Sequence, residues 1–288
     1  MQAKNLASNN NNNPAIRALY GGTFDPPHYG HLRPLLETAT ALSLENIELL
    51  PAHVPVFKDK ASSITHRLAM TELLAKEDAR LSVNTLELTR SKPSYTVDTL
   101  AQLHAEHNQI GKQSLIFIIG SDSLSSFHKW HNWQKVFDYC HVVVMCRGHE
   151  NQKDQAQISQ NNAHLSAKLN EVPACLALNL YNFRTSSLLF DDIVQSKMDE
   201  QSRTVLSSKL AQAEAAMQNS MKVSSMGSAF KEQLSASASG KLWLVNNQQI
   251  AVSSTFVRMQ IKQGKSIRQW VPNTVADYIE QHQLYIKK

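Results

Sequence analysis

Two imidazoles three residues apart, His28 and His31, and a guanidinium more than two hundred residues later, Arg258, are the side chains of this chain best suited to polyphosphate chemistry. Residues at that spacing are neighbours on a helix, so both rings can donate to one polyphosphate, and Gly30 leaves room between them. The histidines close the segment Gly21-Gly22-Thr23-Phe24-Asp25-Pro26-Pro27-His28-Tyr29-Gly30-His31, which follows the short apolar run 16–20. A β-rich run, two glycines, a turn and a helix opening at His28 form the strand–loop–helix layout used by anion sites. Gly21 and Gly22 carry no Cβ, so a phosphate or ribose can approach the backbone closely. Pro26 and Pro27 fix φ and stiffen the loop, and the helix aims its orphan N–H groups and positive dipole end at whatever sits above.

Arg258 lies one turn inside a second candidate phosphate element, Ser253-Ser254-Thr255-Phe256-Val257-Arg258. Hydroxyls and free N–H groups at a helix start can bind oxygens while the guanidinium adds a planar, permanently charged fork. A plain N-cap with a solvated arginine fits the same letters. A third block, Phe117-Ile118-Ile119-Gly120-Ser121-Asp122-Ser123, reads as a strand running into a polar turn. Asp122 at its carboxyl end can accept two hydroxyl protons, cap the next helix, or do both. The face of Trp130 suits an aromatic ligand, and a core position suits it equally well. The pairs His104/His107 and His128/His131 share helix faces, but with no third ligand evident they read as solvated faces, so no metal site is assigned.

The eleven-residue segment resembles the signature of the nucleotidylyltransferase superfamily, in the form carried by bacterial nicotinate-nucleotide adenylyltransferases. Residues 253–258 resemble the Ser-Ser-Thr-x-x-Arg motif, with the continuation Ile-Arg-x-x-Val-Pro at 267–272, and the block 117–123 resembles the Ile-Gly-x-Asp segment. Residues 93–96 resemble the Pro-Ser-Tyr-Thr segment, and Arg147 matches the arginine that follows a family strand. The resemblance implies His28, His31 and Arg258 as catalytic residues, with Gly21, Gly22, Thr23, Phe24, Ser253, Ser254 and Thr255 binding ATP. It further implies that Lys58, Thr96, Gly120, Asp122, Trp130 and Arg147 bind the second substrate. The implied reaction joins nicotinate mononucleotide to ATP, with Mg²⁺, giving deamido-NAD and pyrophosphate.

The match departs from the family at 51–58. The usual Pro-x-x-x-Pro-Pro-His-Lys stretch here reads Pro51-Ala52-His53-Val54-Pro55-Val56-Phe57-Lys58, so Phe57 replaces a histidine and Ala52 a polar residue, while Lys58 is kept. Gly148 also stands where proline is usual. Two rival readings stay open. The acceptor could be another phosphate, such as nicotinamide mononucleotide or phosphopantetheine, although 93–96 and Trp130 favour a pyridine with a carboxylate. Alternatively, the chain is a nucleotide-binding relative without turnover, against which the two histidines and Arg258 argue.

Behind these residues stands a chain of 288 residues, 42% hydrophobic and 18% charged, able to bury a sizeable core. A net charge of +5 favours phosphorylated ligands, yet no dense Lys/Arg run marks a nucleic-acid surface. The three cysteines show no Cys-x-x-Cys pairing and fit a reducing compartment. No apolar run approaches the ~20 residues of a membrane span, and 1–13 has no apolar signal core. The expectation is a cytoplasmic protein with no membrane or nucleic-acid partner; a homo-oligomer stays open.

Positioning falls to an alternation of elements. Strand-like runs at 16–20, 47–50, 81–86, 115–119 and 141–145 alternate with helical patterns at 28–42, 65–75, 95–107 and 130–137. Continuous apolar strands between helices predict a parallel sheet covered on both faces, a doubly wound Rossmann-like α/β fold of the nucleotidylyltransferase type. Its ligand crevice lies at the carboxyl ends of the strands. The Asn-rich residues 1–14 read as a disordered tail, and 15–149 as the first part of the α/β domain. Residues 150–241, rich in Gln, Ser, Ala and Asn, read as a low-complexity insertion of uncertain order, with a strand candidate at 176–181, a helical stripe at 199–217 and linker-like 220–240. Pattern returns in 242–288, the C-terminal part of the same domain, with apolar runs at 242–245 and 250–252, a helix opening at 253–255, a further run at 266–271 and a last helix at 273–281.

Overall fold

The computed structural model describes residues 15–53, 61–90, 95–108, 113–120, 123, 127–145, 230–231, 234, 239–240, 242–245, 247 and 250–286. Six strands form one sheet: β1 (Ala15–Gly22), β2 (Ile47–Pro51), β3 (Leu81–Val83), β4 (Gln113–Gly120), β5 (His141–Met145) and β6 (Leu242–Val245). Their order is β3-β2-β1-β4-β5-β6, with every pairing parallel. Among the described residues the helices are α1 (Tyr29–Leu42), α2 (Ile64–Ala75), α3 (Thr96–Asn108), α4 (Trp133–Tyr139), α5 (Ser254–Lys262) and α6 (Asn273–Gln281). The predicted doubly wound sheet is therefore present. The candidate strand at 176–181, the helical stripe at 199–217 and the linker to 229 lie outside the described residues.

Alternation along the strands divides the core between the two faces of the sheet. Ala18, Tyr20, Ile116, Ile118, Val143 and Met145 pack with Leu32, Leu35, Ala39 and Leu42 of α1. On the other face, Leu19, Leu115, Phe117, Ile119, Val142 and Val144 pack with α3 and α4. All five β5 residues are buried, which is why that strand reads as a continuous apolar run. A third cluster of Met70, Val252, Val257, Ile267, Val271, Val275, Ala276 and Ile279 joins α2, α5 and α6, and fixes the C-terminal block on the domain.

Two local expectations change. The run 81–86 is strand only to Val83, because Asn84 Oδ1 accepts the Leu86 N–H at 2.8 Å and turns the edge strand into a 3-10 helix at Leu86–Thr89. The single helix read over 130–137 is a 3-10 turn at Phe127–Lys129, then Asn132 at φ 48°, then α4. Of the two apolar runs after residue 241, 242–245 is β6, while at 250–252 the Val252 N–H donates to the Ile250 carbonyl at 2.9 Å in a tight turn that delivers the chain to α5. No helix among the described residues is long and apolar enough to cross a membrane.

The order of the sheet reverses between β1 and β4, where the chain after β1 runs to one side and the chain after β4 to the other. Tyr20 pairs with Ile118, so Gly22 and Gly120 end side by side at this switch point, where doubly wound sheets open a crevice at their carboxyl edge.

Candidate active site

The loop leaving β1 bends through Phe24, at φ 52°, and Asp25 before α1 begins. His28 is the N-cap, with extended backbone, and α1 starts at Tyr29, one residue later than the sequence suggests. The first helical N–H, that of Tyr29, donates to the Trp270 carbonyl at 2.8 Å. His28 is fully buried, His31 is nearly so, and their ring centroids stand 3.7 Å apart at 35°. The His28 backbone N–H donates to His31 Nδ1 at 3.2 Å. An accepting Nδ1 leaves the ring proton on Nε2, so His31 is preset as a donor through its outer nitrogen. Phe24 meets the His31 ring edge-on at 5.3 Å, and Tyr20 lies behind it at 6.3 Å.

The glycines of the segment have structural duties. A Cβ on Gly21 would lie 2.9 Å from the Phe117 ring, and one on Gly22 would lie 2.9 Å from the ring of Phe24. A Cβ on Gly30 would meet Val252 Cγ1 at 2.8 Å, the Val252 carbonyl at 2.9 Å and His28 Nδ1 at 3.0 Å. Gly30 therefore lets α1 lie against the segment that feeds α5, and this contact brings the two phosphate elements, distant in sequence, to one place.

At the start of α5 each hydroxyl has a distinct protein contact. Ser253 Oγ caps the helix by accepting the Phe256 N–H at 3.0 Å, and Ser254 Oγ donates to the Pro26 carbonyl at 2.9 Å. Thr255 is exposed and its Oγ1 accepts from Arg258 at 3.1 Å. Arg258 also donates to the Asp25 carbonyl at 2.6 Å, so its guanidinium crosses to the loop that ends in His28. The structure thus brings together Gly21, Gly22, Thr23, Phe24, His28, His31, Ser253, Ser254, Thr255 and Arg258.

Of the residues expected at the second substrate, three are described. Gly120 is the buried last residue of β4, opposite Met145, and Thr96 is the first residue of α3. Trp130 is half-buried against Phe127 at 4.9 Å and edge-on to Phe117 at 6.3 Å, so it forms the rim of the core. Lys58, Asp122 and Arg147, together with Phe57, Pro93 and Ser94, lie outside the described residues.

Arg67 has a role the motifs do not reveal. It is 1% exposed and donates to four carbonyls: Thr23 at 3.0 Å, Ala52 at 2.6 Å, His53 at 2.7 Å and Ser62 at 3.1 Å. One side chain thereby ties the loop after β1 to the chain after β2. Burial pushes its guanidinium down from the ordinary value, and the Asp25 carboxylate pulls it back; arginine keeps its charge regardless. The signal was available in the sequence: Arg67, Met70, Thr71 and Leu74 fall on one helical stripe, and all four are buried. Asp25 and Tyr285 form a second such link, with the Tyr285 hydroxyl donating to Asp25 Oδ1 at 2.7 Å.

A model of the cytidylyltransferase-like family matches residues 19–260. A probable nicotinate-nucleotide adenylyltransferase of Yersinia enterocolitica serotype O:8 / biotype 1B is 46% identical over 133 residues, covering 46% of this chain and 60% of the relative. One of Serratia proteamaculans is 40% identical over 157 residues, covering 54% of this chain and 70% of the relative. The matched region thus spans about 60% of the length of the first of these curated relatives. The fold is similar to that of Plasmodium falciparum nicotinic acid mononucleotide adenylyltransferase complexed with NaAD, with TM-score 0.54 and 16% identity, covering 94% of this chain and 97% of the other. The same enzyme complexed with APC gives TM-score 0.55 at 15% identity, with the same coverage.

Proposed function

We propose that this chain, which belongs to the cytidylyltransferase-like family, is a cytoplasmic adenylyltransferase that joins nicotinate mononucleotide to ATP, giving deamido-NAD and pyrophosphate in NAD biosynthesis. The observation that carries this reading is the convergence of two adjacent imidazoles, 3.7 Å apart, and Arg258 on one loop at the switch point of the sheet. An oxygen of the mononucleotide phosphate forms the new bond to the α-phosphorus of ATP. The bond from the α-phosphorus to the α,β-bridging oxygen breaks, and its electron pair leaves with pyrophosphate. No side-chain nucleophile is needed, so positioning and charge stabilisation supply the catalysis.

His31, donating through Nε2, and His28 beside it hold the polyphosphate as charge moves to the leaving group. Arg258 and the helix start at 253–255 take the β- and γ-phosphates, while Gly21, Gly22, Thr23 and Phe24 shape the adenylate end. Mg²⁺ arrives with ATP as part of the substrate and neutralises the pyrophosphate. Asp25, the carboxylate of the loop, is already bonded to the Ser62 N–H and the Tyr285 hydroxyl, which suits an ion carried by phosphates better than one held by this loop. Lys58, Thr96, Gly120, Asp122, Trp130 and Arg147 complete the pyridine-nucleotide side, and 150–241 is an insertion within one domain.

Pyrophosphate release from MgATP with nicotinate mononucleotide, run in parallel with its amide, tests the assignment. Strong preference for the acid is the expected result. Turnover with the amide alone would move the substrate, and release with neither would overturn the reading.

A further inference from the structure

Asp25 lies 2% exposed at the centre of the loop between β1 and α1, and three distant segments meet on it. The Ser62 N–H, entering α2, donates to Oδ2 at 3.2 Å, and the Tyr285 hydroxyl, from the turn after α6, donates to Oδ1 at 2.7 Å. Arg258 donates to the Asp25 backbone carbonyl at 2.6 Å and stands 3.9 Å from carboxylate Oδ2, the oxygen that the Ser62 N–H already holds. We propose that Tyr285 is a positioning residue of the phosphate site: by holding the Asp25 carboxylate through Oδ1 it keeps that group from turning onto Arg258, whose fork stays across the Asp25 carbonyl and Thr255 Oγ1 at the start of α5. The proposal rests on the adenylyl-transfer reading above.

A buried carboxylate that loses a donor is costly until it finds another. Among the described residues two cations are near. Arg67 is committed to four carbonyls, which leaves Arg258, already within 3.9 Å, as the group that would move. A bidentate arginine–carboxylate pair is strong enough to compete with a phosphate for the same fork. The turn that carries the phenol is well held: the Leu284 N–H donates to the Ile279 carbonyl at 3.0 Å and the Gln283 N–H to the Glu280 carbonyl at 3.2 Å. Tyr285 itself sits at φ 64°, in the left-handed region that non-glycine residues seldom occupy. Burial first, and the adjacent carboxylate second, push its phenol far above the ordinary range, so it remains a donor at any working pH.

Tyr285→Phe removes the hydroxyl, and with it the contacts to Asp25 and to the Ser62 side chain. The control is Tyr278→Phe, which loses a 3.0 Å contact to His66 Nδ1 from the same helical block but touches neither Asp25 nor Arg258. Both are compared with wild type for KM of ATP, KM of nicotinate mononucleotide, and calorimetric affinity for inorganic tripolyphosphate, after circular dichroism confirms the fold. For Tyr285→Phe the expected result is a rise in ATP KM and a loss of tripolyphosphate affinity of about tenfold each, with the mononucleotide KM unchanged. Tyr278→Phe is expected to leave all three unchanged. Equal changes in both KM values, or an unchanged tripolyphosphate affinity, would overturn the positioning role. If wild type releases no pyrophosphate, the reaction assignment fails by itself, and the tripolyphosphate comparison still decides the role of Tyr285.

Discussion

His31 is a donor because of a backbone group: the His28 N–H occupies its Nδ1, so the proton must reside on Nε2. Replacing His31 by Ala removes that donor, and replacing His28 by Ala removes the ring beside it at 3.7 Å. Each change is expected to lower kcat for pyrophosphate release by about 10²- to 10³-fold, the scale of losing one preorganised transition-state donor, in a protein that remains folded by circular dichroism. Near wild-type turnover in either variant would remove these rings from the chemistry. Arg258→Lys keeps the charge but not the fork that spans the Asp25 carbonyl and Thr255 Oγ1. It is expected to weaken ATP by about tenfold while the mononucleotide KM stays in place. These three residues were legible in the sequence because their chemistry is local to short motifs. Tyr285 was not, because its partner lies 260 residues away, and Arg67 showed in the sequence only as a member of a buried helical stripe, since its acceptors are backbone carbonyls that no motif marks.

Elements meet at this site through two close contacts, and each can be broken separately. Gly30→Ala drives a methyl group into Val252 and the His28 ring at 2.8–3.0 Å, where one of the neighbours is backbone and cannot rotate away. The packing of α1 against the entry to α5 must give, at a cost of about 1–3 kcal/mol in urea unfolding. Activity should fall further than stability implies, since the same contact aligns His28 with Arg258. Arg67→Met keeps the volume but leaves the carbonyls of Thr23, Ala52, His53 and Ser62 without their donor. A loss of about 3 kcal/mol or more is expected, with Arg67→Lys intermediate because an ammonium cannot span four acceptors. An Arg67→Met protein as stable as wild type would show that the two loops are held by other means. The sequence displayed the strands and helices themselves through apolar runs and periodicity. It did not display where β3 stops or where the helix after β4 breaks, since these turn on single side chains, Asn84 bonding its own strand end and Asn132 taking a positive φ.

At the scale of the molecule, the sheet is completed by strands far apart in the chain: β5 pairs in parallel with β6 in the register Val142↔Leu242 to Met145↔Val245. A parallel pair needs a crossover of a dozen or more residues, because the chain must return from the carboxyl end of one strand to the amino end of the next. Phe230 and Leu234, 4% and 1% exposed, already pack with the core on the α1 face, where the Phe230 ring lies 4.2 Å from Trp243. Residues 146–150 and 226–241 would therefore suffice for the crossover, and removing 151–225 should leave the sheet and both phosphate elements intact. Shortening the connection also lowers the entropy cost of closing it. Because that cost grows only with the logarithm of loop length, the expected gain is modest, about 1 kcal/mol. The shortened chain is expected to unfold in one cooperative transition at a slightly higher urea midpoint, with kcat for pyrophosphate release within a few-fold of the full chain. Failure to fold would show that 151–225 supplies part of the core. A folded protein without turnover would instead give those residues a place in the site, and either outcome would overturn the reading of this stretch as an insertion into a domain complete without it.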